Sequence, residues 1–247
     1  MKRILTASIL LVSGAAFGQS CPIDIKNEVH LKEGTVSVYQ QQEPKVVIDG
    51  SNQVFINGEK LDLNQMQQQA LEAYHKGVQE HLPQLVDLAN DGISIASDIT
   101  NEIALGFENP EAFDGVKKLI DDFSATVNDK FYQDDTFVIP ADVLDKASSS
   151  WMSEFNQVIE NISMESMESA FSALAEEMKQ EGGINFAELK NRVMEMKATI
   201  EEKVAARSKE VEQKATNLCD SVQDLATEEQ KLQELIPQLK DYQIFEI

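Results

Sequence analysis

Aromatic residues make up only 6% of this 247-residue chain, which has 11 glycines, 6 prolines, 1 tryptophan and 3 histidines. Few aromatics, set beside abundant Ala, Glu, Gln, Lys and Leu, argue against a compact α/β enzyme and for long helices. Basic residues are also scarce. Lys and Arg number 21 against 43 Asp and Glu, giving a formal charge of −22 at pH 7 and a pI near 4.4. Such a surface repels nucleic acid and anionic lipid, so neither is expected as a partner. No run approaches the about 20 apolar residues that span a bilayer, so no integral membrane span is expected. The chain has no phosphate loop, dinucleotide fingerprint or G-x-S-x-G turn, and no cofactor is expected.

Cysteine is rarer still, and its placement is informative. Lys2 and Arg3 precede an apolar run from Ile4 to Phe17, and Ala16-Phe17-Gly18 offers small residues where a signal peptidase reads. This order of charge, apolar run and small residues predicts a signal peptide over residues 1–18, cut after Gly18 or Ser20. Losing Lys2 and Arg3 with it makes the mature chain more acidic by two charges. The only two cysteines are Cys21 and Cys219. In an oxidising, exported compartment they predict one disulfide between the ends of the mature chain. The competing reading is a lipoprotein anchored through Cys21. It is disfavoured because Gly18 and Gln19 fit the lipidation pattern poorly.

Residues 21–63 read as a small antiparallel meander of four or five strands. Val29 and Leu31 alternate before Glu33-Gly34, and Val36 and Val38 follow it. Val46 to Ile48 and Val54 to Ile56 are split by Asp49-Gly50, and Asn57-Gly58 precedes Leu61 and Leu63. Asp-Gly and Asn-Gly between alternating runs are hairpin signals, because both turn residues must accept positive φ. Such a meander needs a helix to cover its apolar face.

From Asn64 the apolar spacing becomes helical. Leu71, Tyr74, Val78, Leu82, Leu85 and Ala89 form one stripe, with a kink expected at Pro83 and an end at Asp91-Gly92. A short helix carrying Ile95, Ile99 and Ile103 then runs to Gly106. Asn109-Pro110-Glu111 marks a further helix start, followed by the stripe Phe113, Val116, Ile120, Phe123, Val127 and Phe131. Residues 134–140 are expected as an extended connection or an edge strand. A helix over 141–181, a tip at Gly182-Gly183, and a helix over 185–236 capped by Asn185 and Glu188 complete the chain. The last helix is nearly heptad-spaced, with Arg207 and Glu229 interrupting it. The expected fold is therefore mainly α with a small N-terminal β-meander, and the helical region 64–247 forms an elongated bundle or coiled-coil hairpin. The tail DYQIFEI is expected to return as a strand.

Chemistry-bearing motifs are few. Glu72 and His75 make a single E-x-x-H pair, whereas carboxylate-bridged metal sites in bundles need two such pairs and further glutamates, so no metal is expected. The pairs Asp121-Asp122 and Asp134-Asp135 lack a calcium loop's alternating oxygen ligands. Ser148 to Ser150 have no histidine nearby. Met164, Met167, Met178, Met194 and Met196 flank the expected tip, and adaptable methionine surface there is the candidate partner-binding site.

Cys21 at the head of the mature chain, VFINGEKLDLNQMQQQALEAYHKGV from Val54 to Val78, and Cys219 in a charged helix together resemble the YggN-like family of uncharacterised exported gammaproteobacterial proteins. The resemblance implies a periplasmic location and a helix-rich architecture, and carries over no catalytic residues. The function expected is non-catalytic: binding or scaffolding another envelope or periplasmic protein through helical arms. Arg207 and Glu229 would set register should the chain oligomerise. One alternative is a periplasmic holdase-type chaperone with clamping arms. The alternative of another class is a hydrolase or metal-binding enzyme, which a concave pocket with converging polar groups would reveal.

Overall fold

The computed structural model describes residues 21–105, 110–141, 143 and 186–246. The expected signal peptide, nearly all of the expected helix over 141–181, the expected glycine tip and the Asn185 cap lie outside the described residues.

Among the described residues there are nine strands: β1 (Asp24–Ile25), β2 (Glu28–Lys32), β3 (Thr35–Gln40), β4 (Glu43–Ile48), β5 (Val54–Ile56), β6 (Glu59–Lys60), β7 (Tyr132–Gln133), β8 (Thr136–Ile139) and β9 (Phe245–Glu246). Seven of them form one antiparallel sheet in the order β6-β5-β4-β3-β2-β8-β7, and β1 pairs with β9 as a separate ribbon. The expected meander is thus the β2–β6 part of a larger sheet. Residues 132–139 add a hairpin beside β2.

Four tight turns set this register. Each places two consecutive residues at positive φ: Glu33-Gly34 (48° and 77°), Gln41-Gln42 (53° and 65°), Asn57-Gly58 (49° and 83°) and Asp134-Asp135 (46° and 60°). A two-residue hairpin of this hand matches the right-handed twist of its strands. The β4–β5 loop is built differently. Asp49 Oδ1 accepts the N–H groups of Ser51 (2.9 Å) and Gln53 (3.0 Å), and Asn52, at φ 56°, takes the left-handed position.

Among the described residues four α-helices cover the sheet or each other: α1 (Gln65–His81), α2 (Gln84–Leu105), α3 (Asp114–Phe131) and α4 (Phe186–Leu235). Asn64 caps α1 in a reciprocal box with Gln67. The Gln67 amide also donates to the Leu235 carbonyl at 2.7 Å, so one side chain serves the start of α1 and the end of α4. Pro83 separates α1 from α2. The expected end at Asp91-Gly92 is not a break, and α2 runs through it to Leu105. A mid-helix glycine costs only about 1 kcal/mol, which packing readily offsets. Here Asp91 pairs with Lys214 of α4 at 2.7 Å and Asp98 pairs with Arg207. Pro110–Phe113 form a 3₁₀ turn into α3, whose whole predicted stripe is buried.

The expected elongated bundle or coiled-coil hairpin is overturned by this sheet. Val29, Val36, Val38, Val46, Ile48 and Val54 from the sheet share one core with Leu71, Tyr74 and Val78 of α1 and with Leu218, Val222, Leu225 and Leu232 of α4. The molecule is an α+β fold in which α1, α2 and α3 have only 17, 22 and 18 residues. Helix α4 is long, with 50 residues, but the apolar residues of its C-terminal half enter the core that the sheet and α1 share. A stripe at 3/4 spacing serves a helix on a sheet as well as a helix in a coil, so the heptad does not discriminate. The tail returns as a 3₁₀ turn, Pro237–Tyr242, and then β9, which joins β1 rather than the main sheet.

Candidate functional site

The most charged feature of the core is Glu229, one of the two interruptions of the α4 stripe. It is 6% exposed. Its Oε1 accepts the Tyr74 hydroxyl at 2.6 Å and the Ile244 N–H at 2.7 Å, and its Oε2 accepts the Phe245 N–H at 3.0 Å. The carboxylate thus joins α1, α4 and the C-terminal segment. Burial pushes its pKa up, and the donated hydrogen bonds from Ile244, Tyr74 and Phe245 partly oppose that. Burial likewise pushes the Tyr74 hydroxyl well above its ordinary value, with the Glu229 charge adding to the effect. Beside them lies a cavity of about 20 Å³, lined by Val38, Ile48, Leu239 and Ile244 as well as the pair itself. That is room for one water. Three of the carboxylate's roughly four lone-pair positions accept from the protein's own donors, so the arrangement holds elements together.

A second buried polar cluster centres on His75. As the side-chain amides are oriented, Nδ1–H donates to Asn52 Oδ1 at 2.6 Å and Nε2 accepts from Gln79 at 3.0 Å. Burial lowers the pKa of this histidine, which favours the neutral ring these bonds require. Both nitrogens are engaged and Glu72 is exposed, so the E-x-x-H pair does not converge on a metal position. Among the described residues no three His, Cys, Asp or Glu groups gather as metal ligands. Ser148 to Ser150 lie outside the described residues.

Cys21 and Cys219 are joined in a disulfide with a Cα–Cα distance of 5.6 Å across 198 residues of sequence. Of the candidate methionines, Met194 on α4 is 59% exposed. Met164, Met167 and Met178 lie outside the described residues, as does the side chain of Met196. Arg207 makes an exposed intrachain ion pair with Asp98, and Glu229 is internal. Asp122 pairs with Lys118, and Asp134-Asp135 form a hairpin turn. No helix among the described residues is long and apolar enough to cross a membrane.

A model of the family described as Protein of unknown function (DUF2884) matches residues 21–245. The chain belongs to this family. Its span begins at the first disulfide cysteine and ends at Phe245, the residue held by Glu229. Searches of curated proteins and of solved structures found no match. What sequence reasoning missed in this DUF2884 chain is that Glu229, read only as an interruption of the stripe, is a buried carboxylate bonded to α1 and the tail. The available signal was an acidic residue three and seven positions from the apolar Ala226 and Val222, inside a stripe that should be apolar.

Proposed function

We propose that this protein is a non-catalytic periplasmic protein, YggN-like and exported by its N-terminal signal, that binds or scaffolds another envelope protein. The observation that carries the binding reading is the position of two exposed apolar side chains. The Asp91–Lys214 and Asp98–Arg207 pairs run α2 antiparallel to α4. Leu105, 80% exposed, and Met194, 59% exposed, therefore fall at the same end of the helix pair. Such side chains are suited to an apolar contact with a partner, and methionine adapts to its shape. The disulfide supports the exported location, since such bonds persist in oxidising compartments. It also favours the soluble form, because a sulfur in a disulfide is not open to acylation. The holdase-type alternative rested on a small sheet with long helical arms; of those arms α4 is described, and nearly all of 141–181 lies outside the described residues.

The test is a photo-crosslinking amino acid placed at Met194 in living cells, with Gln42, exposed on a distant hairpin, as the control. A discrete protein adduct from position 194 alone, recovered in the osmotic-shock fraction, is the expected result. Identical adducts from both positions, or none from 194, would refute the contact surface. Retention in the cytoplasm would refute the location.

A further inference from the structure

The two termini of the described chain are closed into a ring of contacts along α4. Cys21 is bonded to Cys219. Four residues later Ile25 pairs with Phe245, and Phe245 donates to Glu229, ten residues beyond Cys219 on the same helix. An extended stretch from Cys21 to Ile25 spans about 13 Å. Ten helical residues rise about 15 Å. The N-terminal strand therefore runs alongside α4, with a clasp at each end: a disulfide above and a buried carboxylate below. Neither β1 nor β9 belongs to the seven-stranded sheet. Besides the ribbon pairing, the tail is held to α4 by the Ile244 and Phe245 N–H groups on Glu229, to the residues after β1 by the Lys26 N–H on the Ile244 carbonyl (2.8 Å) and the Asn27 amide on the Gln243 carbonyl (2.6 Å), and by Ile244 and Phe245 in the core shared with the sheet.

We infer that this ring is a redox-sensitive latch, in which breaking the Cys21–Cys219 bond releases the β1–β9 ribbon from α4 and leaves the main sheet folded. A two-stranded ribbon is marginal without such support. The opening step needs a dithiol reductant. The Sγ–Sγ bond breaks, the two sulfurs take up two electrons and two protons to become thiols, and the reductant leaves as its disulfide. Release exposes Ile23, Ile25, Ile244 and Phe245, all buried in the closed form. By linkage the clasps are reciprocal, so weakening the carboxylate makes the bridge easier to reduce.

Amide hydrogen exchange of the mature chain, oxidised and in dithiothreitol, tests this. Exchange at Ile244 and Phe245 should accelerate about tenfold or more on reduction, with Val36 and Val38 of β3 unchanged. A Cys21→Ser/Cys219→Ser variant without reductant should reproduce the pattern. Unchanged exchange at Ile244 and Phe245, or uniform acceleration that includes β3, overturns the latch. In the reverse direction, Glu229→Gln should shift the thiol–disulfide equilibrium toward the reduced form by about tenfold, or about 30 mV. An equilibrium equal to wild type overturns the coupling.

Discussion

The Tyr74 hydroxyl donates to Glu229 Oε1 at 2.6 Å, joining α1 to α4 across 155 residues of sequence. Tyr74→Phe removes one donor from a buried carboxylate, and a loss of about 1.5–3 kcal/mol is expected. The pH dependence follows from the direction of the tyrosine shift. Its folded pKa lies well above the unfolded 10.0, so its contribution is full below pH 10 and is lost as pH rises toward the folded value. Urea midpoints at about pH 8 and about pH 11 should show the gap between wild type and Tyr74→Phe narrowing at the higher pH. A constant gap would count against the assignment.

Glu229 has the raised pKa of a buried acid. The proton-linked part of its contribution is full below its unfolded value of 4.5 and is lost as pH rises through the folded value, while the three hydrogen bonds it accepts remain. Glu229→Gln should therefore remove a downward slope of stability between acid and neutral pH. At neutral pH the amide turns an N–H toward existing donors and should cost about 1–3 kcal/mol. Glu229→Leu leaves the Tyr74, Ile244 and Phe245 donors unsatisfied and should cost about 3–5 kcal/mol. Chemical denaturation of both variants across pH checks the order and the slope.

Two glycines in helices should respond with opposite sign. A Cβ on Gly77 in α1 would sit 2.8 Å from Leu225 Cδ1 in the buried α1–α4 contact. Overpacking there exceeds the gain in helix propensity, and Gly77→Ala should lose about 1 kcal/mol net. Gly92 in α2 has nothing within 4 Å of such a Cβ. Gly92→Ala should gain about 0.5–1 kcal/mol. Thermal melts of the two single variants decide this, and shifts of the same sign would refute the packing argument.

The hairpin between β3 and β4 turns on Gln41 and Gln42, both at positive φ. Neither residue favours that conformation, whereas Asn-Gly does. Replacing the pair with Asn-Gly should stabilise the fold by about 1 kcal/mol, a rise in melting temperature of about 2–4 °C. No rise would mean that contacts of the glutamine side chains outweigh the backbone strain.

How far residues announced this structure depended on whether their signal was local. Glu33-Gly34 and Asn57-Gly58 carry the glycine that left-handed turns need, and both are hairpins. Gln41-Gln42 and Asp134-Asp135 adopt the same backbone without that glycine, so the strands they join were only partly legible. The stripe from Phe113 to Phe131 needs nothing beyond its own spacing, and it is buried throughout. By contrast, the pairing of β2 with β8 joins residues about a hundred apart in sequence, and no local pattern encodes it. The α4 heptad was read as a coil because period alone does not say whether a helix faces another helix or a sheet. Glu229 was read as an interruption because its partners come from α1 and the tail, both remote in sequence. Cys21 and Cys219 were the exception among long-range contacts, since two cysteines admit one intramolecular pairing.

The margins of the sheet are as telling as its centre. It ends in β6 and β7, each two residues long, and Glu59, Lys60, Tyr132 and Gln133 are all exposed. The strands β2, β3 and β4 between them each have a neighbour on either side, and β8 runs two residues past its pairing with β7. A neighbouring molecule seeking to extend the sheet meets a docking row two residues wide, one of them bearing a glutamate and a lysine. Fibril seeding by strand addition needs a long, flat, unpaired rim. Among the described residues the margins of this sheet offer no such rim, so strand addition there finds little to build on.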